Sequence, residues 1–272
     1  MSAPSIDDSC LLPLAELDKP IYRIFPRERF LQALSENCLA LVCPSMWDDP
    51  FEIVDSAIPV HWTENGQLRR HIIHGLPSVF AQSWSATRES DALLRAYSKV
   101  RRGTHSNLNT CPDEEGVRVQ TTHRKLLQAV LNATTSNGEI SCFIGAVTYV
   151  SSDEVLSYFS KAIYKDGLHA LNLPKIRAMG LLRKRVAFSS EAEVRVMAIH
   201  QRTRVSDRLL RVPIHPNDFI DEVAFDPRLA DVEMYRRQEE AKAHGYAGHF
   251  HNWELYTRVI PVVQMPSDWV PR

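Results

Sequence analysis

A single α+β domain with a mixed, largely antiparallel sheet flanked by helices is the fold class this sequence predicts, on three observations. Short strand-like stretches and amphipathic helical stretches succeed one another without the regular βαβ rhythm of a parallel sheet. Only 10 glycines occur in 272 residues, and none builds a Gly-rich loop of the dinucleotide-binding or P-loop kind. No linker or internal repeat divides the chain, so residues 21–272 are expected to form one domain behind a loose leader, residues 1–20.

Composition narrows the function classes. Hydrophobic residues at 44% and charged residues at 24% are ordinary for a globular chain and do not suit a disordered one. The formal net charge of −1 argues against a globally basic nucleic-acid binder. Arg183-Lys184-Arg185 and the arginines Arg202, Arg204, Arg208 and Arg211 are local basic stretches, read first as solvated faces. The leader carries Asp7, Asp8, Glu16 and Asp18 and lacks the pattern of a signal peptide. No apolar run approaches the roughly 20 residues of a membrane span. Cys10, Cys38, Cys43, Cys111 and Cys142 include no CxxC pair, which predicts reduced thiols in a cytoplasmic setting, with Cys38 and Cys43 as small buried hydrophobes.

Taken in order, Ile21 to Phe25 reads as a strand closed by Pro26, with Arg23 alone polar among apolar neighbours. Phe30, Leu31 and Leu34 give Arg27 to Asn37 a helical face, and Leu39 to Val42 is a second strand. Pro44 to Glu52 combines turn formers with Trp47 and Phe51, which predicts a loop packed down by its aromatics. Gln67 to His74 is read as a short helix. Val79 to Ser85 is a strand ending in Ser83-Trp84-Ser85, and Glu89 to Val100 a helix with Leu93, Leu94 and Tyr97 on one face. The polar stretch from Lys99 to Glu115 is read as a long loop, Val117 to Gln120 as a strand, and Thr122 as the cap of a helix reaching Asn132. Ile140 to Val150 is a strand, Ser151-Ser152-Asp153-Glu154 a helix start, and Leu168 to Leu182 a helix interrupted by Pro174. Later strands are expected at Leu209–Ile214, Phe219–Phe225 and Leu255–Val263, with a charged helix over Leu229–His244.

The stretch most suggestive of chemistry is Glu191-Ala192-Glu193-Val194-Arg195. Its alternation predicts a strand with Ala192, Val194, Val196 and Ala198 buried and Glu191, Glu193, Arg195 and Met197 on a polar face. Carboxylates two residues apart on a strand stand about 6.5–7 Å apart, close enough to act on one substrate. The plain alternative is a polar face on which Arg195 neutralises its neighbours.

Several stretches in order resemble the bacterial family catalogued as domain of unknown function 2971. They are Ile21-Tyr22-Arg23, Leu39 to Glu52 ending in Asp49-Pro50-Phe51-Glu52, Phe80 to Ser85, a helix ending at Tyr97, Gly116-Val117, Glu191 to Arg195, Phe219 to Val223 and Asp226-Pro227-Arg228. Trp47-Asp48 and Leu93-Leu94 depart from that pattern, which implies no activity by itself. More distantly, Arg23, then Ser83-Trp84-Ser85, then Glu191-x-Glu193 resembles the order of site residues in ADP-ribosyltransferases, with Trp84 replacing the middle hydroxyl.

That second resemblance implies an ADP-ribosyltransferase-like fold and NAD as substrate. It implies Glu193 and Glu191 as catalytic carboxylates, with Arg23, Tyr22, Ser83, Ser85, Trp84 and Tyr97 binding the dinucleotide. Glu193 would stabilise an oxocarbenium-like state and Glu191 would orient or deprotonate an unknown macromolecular acceptor, protein or nucleic acid. Arg23 would donate to pyrophosphate or ribose oxygens, the serines would hold ribose and support Glu193, and Trp84 or Tyr97 would stack on the nicotinamide ring. A defence or toxin-like role follows by analogy alone.

Plainer readings stand beside these. Arg23 reads equally as an ion-pair partner of Glu52 or Asp49, Tyr97 as a core aromatic, and Glu52 as a turn cap. A magnesium-dependent nuclease would use Asp49, Glu52, Glu191 and Glu193, with Arg202 to Arg211 on phosphate. A zinc site would draw on His244, His249 and His251, and a non-enzymatic binding module would use the acidic strand and the aromatic loop as a partner surface.

Overall fold

A computed structural model of the chain describes residues 5–13, 16–52, 57–74, 76–100, 114–135, 138–201, 206–256, 263–266 and 269. In chain order the elements are β1 (Pro20–Pro26), α1 (Arg27–Glu36), β2 (Cys38–Val42), β3 (Ala57–Glu64), β4 (Gln67–His74), β5 (Val79–Ser85), α2 (Asp91–Tyr97), β6 (Gly116–Thr122) and α3 (His123–Thr134). They continue with β7 (Ile140–Ala146), β8 (Thr148–Val150), α4 (Ser152–Asp166), α5 (Pro174–Leu181), β9 (Arg183–Arg185), β10 (Glu193–His200), β11 (Leu209–Pro213), α6 (Pro216–Phe219), β12 (Glu222–Phe225), α7 (Asp231–Ala243) and β13 (His249–Phe250). Among the described residues no helix is long and apolar enough to cross a membrane.

The fold is α+β with a mixed, largely antiparallel sheet of nine strands, ordered β11-β2-β5-β1-β6-β12-β13, with β10 joined to β5 and β7 to β10. Among the described residues only β12 and β13 run parallel within it, and the separate pair β8–β9 is parallel as well. Strand β5 is the hinge of the arrangement. Along one edge it pairs with β10 from Val79↔Ile199 to Ser85↔Glu193. Its other edge is shared, meeting β2 at Ala81↔Val42 and β1 at Ser85↔Tyr22. Between those two contacts β2 and β1 splay apart, and the gap opens the cavity described below.

Two apolar layers hold β10. Val194, Val196 and Ala198 join Ile21, Phe25, Phe80 and Trp84 in the main core, beneath Phe30 and Leu34 of α1 and Leu126, Leu127 and Val130 of α3. Met197 and Ile199 join Val79, Ala81 and Phe143 on the other side, beneath Ala178 and Leu181 of α5. Each such side chain contributes about 1.5–3 kcal/mol when fully buried. Covering both sides also buries the face expected to be polar, so every residue of β10 is buried.

Local signals explain most boundaries. Asn37 in the left-handed region (φ 49°) ends α1, Thr122 accepts a hydrogen bond from the Lys125 N–H, and Ser151 with Glu154 forms a reciprocal capping box. Gln67 to His74 is strand, not helix. Asn65 and Gly66, both with positive φ (51° and 75°), make the tight turn that pairs it with β3, because this hand of turn matches the twist of a hairpin. The strand expected over 140–150 breaks at Val147, and the one over 219–225 starts only at Glu222, since Pro216 opens a short helix through Phe219. The leader is docked over residues 5–13: Leu12 is buried and its N–H donates to the Ile144 carbonyl at 2.9 Å. The loop over 101–113, Cys111, Arg202, Arg204 and the closing strand over 257–262 lie outside the described residues. Cys10, Cys38 and Cys142 are free thiols, and Cys38 and Cys43 are only half-buried.

Candidate active site

The splay between β1 and β2 encloses a cavity of about 720 Å³. Its lining includes all eight residues that the transferase resemblance marks: Tyr22, Arg23, Ser83, Trp84, Ser85, Tyr97, Glu191 and Glu193. They stand in different relations to it.

Glu193 opens β10, and its carboxylate is fixed from several sides. Arg195 Nε donates to Oε1 and Arg195 Nη2 to Oε2, both at 2.8 Å, while Lys184 Nζ donates to Oε2 at 3.2 Å. Tyr149 Oη accepts from the Glu193 N–H at 2.8 Å. Burial alone would raise this carboxyl, but Arg195, Lys184 and Ser83 together hold it below the ordinary glutamate range. Glu193 is therefore an oriented anion.

Glu191 reaches the same place by another route. It closes a 3-10 helix (Val186–Glu191) and is not on the strand. Ala192 follows in the left-handed region, with φ 42° and ψ 53°, which breaks the expected alternation. The Glu191 carboxylate turns to Lys184 Nζ at 2.7 Å, and the Ser85 hydroxyl donates to its backbone carbonyl at 2.7 Å. An alanine in this conformation carries a strain of about 1–2 kcal/mol. Ala192→Gly is accordingly expected to change stability by less than about 1 kcal/mol, relief of strain offsetting added chain entropy. Ala192→Val, β-branched in a region closed to such residues, is expected to lose about 2 kcal/mol or more in denaturant unfolding.

The third carboxylate is Glu52, carried by the short helix Pro50–Glu52. It accepts from Arg195 Nη2 and lies 3.7 Å from Lys184 Nζ. Burial outweighs both cations here and raises its pKa. Glu52 is thus no turn cap; Asp49 caps that turn, accepting from the Phe51 N–H at 3.0 Å, and pairs with Arg185 at 2.9 Å. The guanidinium of Arg195 is fully buried, also donates to the Leu181 carbonyl, and lies 4.5 Å from the centre of the Trp47 ring. Three carboxylates facing Lys184 and Arg195 leave this cluster one negative charge in excess.

Arg23 supplies the opposite sign. It pairs with neither Glu52 nor Asp49, and among the described residues no carboxylate lies within ion-pair distance of it. Its Nη1 donates to the Ser83 carbonyl, which the splay leaves unpaired in the sheet, and its guanidinium sits 5.1 Å from the Phe25 ring centre. Its Nε is buried without a partner. Burial lowers its pKa, with Tyr97 and Glu193 acting the other way.

Of the remaining candidates, Tyr97 is 53% exposed at the cavity and is no core aromatic. Trp84 cannot stack on a ligand. Strand alternation turns its ring into the core, edge-on to Phe25 and Phe219, with Nε1 donating to Gln82 at 2.9 Å. Tyr22 is buried, with the Arg118 guanidinium 5.6 Å from its ring centre.

The register sets the length of the site. Glu193, Ser85, Tyr22, Gln120, Glu222 and His249 are successive partners across β10, β5, β1, β6, β12 and β13. Four strand spacings, about 19 Å, separate Glu193 from Glu222. Near that far end Arg88, Arg118 and Trp253 also line the cavity. His249 and His251 approach Glu222 with ligand atoms within 4.8 Å, but His244 is not among them. Glu222 already accepts from Arg118 at 2.8 Å and Arg88 at 3.0 Å, and two guanidiniums on one carboxylate oppose a dication. The carboxylates of the nuclease reading face the same objection, being held by Lys184, Arg185 and Arg195.

Lys184 belongs to the site although its basic run reads as a solvated face. In the run Arg183-Lys184-Arg185 it alone is buried, pointing at the acids, while Arg183 lies 4.0 Å from the Tyr158 ring centre and Arg185 4.4 Å from that of Phe51. The signal was present as strand alternation within a charged run.

Fold and site together define an α+β domain with a mixed, largely antiparallel sheet whose cavity separates charge. No family model matches the chain, and neither does any curated protein. Among solved structures it is similar to Thermus sp. 2.9 DarT in complex with NAD+, at 9% identity and a TM-score of 0.32, over 88% of this chain and 98% of that one. A likeness at that level carries no argument about this chain.

Proposed function

We propose that the protein is an ADP-ribosyltransferase-like enzyme that cleaves the nicotinamide–ribose bond of NAD and transfers ADP-ribose to a macromolecular acceptor. One observation carries this reading: a single cavity sets a carboxylate cluster with excess negative charge beside the half-buried Arg23 guanidinium, which among the described residues has no carboxylate partner. NAD has the complementary pattern, a cationic nicotinamide ring and an anionic pyrophosphate. A volume of about 720 Å³ lies within the range of pockets that enclose small ligands, and the long axis suits two linked nucleosides.

The residues divide the work accordingly. As the C1′–nitrogen bond breaks, its electron pair leaves with nicotinamide and positive charge grows on the ribose. Glu193, ionised and fixed, stabilises that charge and accepts a hydrogen bond from a ribose hydroxyl. The acceptor's nucleophile then bonds to C1′, and Glu191, less enclosed than Glu193, takes its proton. Arg23 donates to the pyrophosphate, and the exposed ring of Tyr97 offers a surface for nicotinamide. The free thiols suit a cytoplasmic setting.

The test incubates purified protein with NAD labelled in the adenylate, with and without cell extract. Nicotinamide release together with labelled macromolecules is the expected result. Magnesium-dependent cleavage of nucleic acid without NAD turnover would replace this reading with the nuclease.

A further inference from the structure

We infer that Lys184 is a positioning residue whose ammonium clamps Glu191 and Glu193 together as an ionised pair, an inference that rests on reading those two as the reacting carboxylates. The backbone alone does not join them. Ala192 breaks the strand between them, and like charges this near repel. Lys184 is the hydrogen-bond partner of the Glu191 carboxylate among the described residues, at 2.7 Å, and it reaches Glu193 at 3.2 Å. Three ammonium protons face three carboxylates, the third being Glu52 at 3.7 Å, and the ring centre of Phe188 lies 4.7 Å away. A compact point charge fits that arrangement where a planar guanidinium fork would not.

The clamp is mounted on its own small sheet. Lys184 and Tyr149 are register partners in the parallel pair β9–β8. Lys184 holds the Glu193 carboxylate while Tyr149 accepts from the Glu193 backbone N–H, so one platform sets both ends of that residue. Other charged groups also face the pair. Arg195 reaches Glu193 from its own strand, and Arg23 from β1 and Tyr97 from α2 act on it at longer range. Of these, only Lys184 bonds both members of the pair.

The experiment compares the full chain with Lys184→Met and Lys184→Arg, using two readouts. The first is the pH profile of NAD turnover. Lys184→Met is expected to lower kcat at pH 7 by about 10²-fold with KM little changed, and to move the acid limb up by about one unit, because an unclamped pair keeps a proton longer. Lys184→Arg is expected to return the limb to its wild-type position, with kcat still reduced. The second readout, carboxyl ¹³C NMR of glutamate-labelled protein assigned through Glu191→Gln and Glu193→Gln, needs no turnover. Here the Glu193 carboxyl is expected to titrate higher in Lys184→Met. If that variant does not fold, Lys184→Met/Glu191→Gln removes one charge of each sign, and Glu193 in it should still titrate above its wild-type value, having lost the Lys184 ammonium. An unmoved limb and unmoved titrations in Lys184→Met, or an unmoved Glu193 in the double variant, would overturn the clamp. Wild-type protein that turns over no NAD would instead remove the transferase reading, leaving NMR to decide the clamp.

Discussion

Arg195→Met is expected to destabilise the protein by about 3–5 kcal/mol at neutral pH, the loss typical when one partner of a buried ion pair is removed. The guanidinium is fully buried, bonds Glu193 twice, and also reaches Glu52 and the Leu181 carbonyl. Without it two buried carboxylates share only Lys184. Methionine matches much of the volume, so lost charge compensation is the main effect and not a cavity. The sign with pH follows. In the wild type the depressed Glu193 carboxyl contributes stability above its unfolded value, lost as pH falls through its folded value; the raised Glu52 carboxyl works in the opposite direction. In the variant both carboxyls are raised, so the penalty is full at neutral pH and shrinks as pH falls toward the unfolded glutamate value near about 4.3. Denaturant unfolding at pH 7 and pH 4.5 measures this. Equal losses at both would assign the effect to packing.

The core strands were legible in sequence because apolar alternation is local. Ile21 to Phe25, Val79 to Ser85 and Glu193 to Ile199 all lie in the sheet, with Val194 turned into the main core. What escaped depends on contacts between distant segments. Whether the partner face of β10 is polar or covered depends on α5 and the loop at Trp47, far away in the chain. The position of Arg23 at the cavity follows from the splay of β1 away from β5, a matter of pairing that no property of Ile21 to Phe25 encodes. Ala192 hid its left-handed backbone, since alanine carries no mark for it as glycine or asparagine would. Lys184 is masked by its arginine neighbours, and the Asn65-Gly66 turn makes a hairpin of a stretch whose spacing also fits a short helix.

Glu193→Gln is expected to lower nicotinamide release from NAD by about 10²–10³-fold, since a neutral amide cannot stabilise positive charge growing on the ribose. The substitution keeps the shape of the side chain and leaves an oxygen for Arg195, so the sheet and the Arg23 end of the cavity should persist. Binding and catalysis then separate: NAD affinity should change little while turnover collapses. The most direct measurement is therefore nicotinamide release by the wild type and Glu193→Gln side by side, with NAD binding followed by calorimetry and folding by circular dichroism. A folded Glu193→Gln protein that binds NAD and releases almost no nicotinamide is the predicted result. A variant as active as the wild type would contradict the assignment of Glu193, and a wild type that neither binds nor cleaves NAD would contradict the function itself.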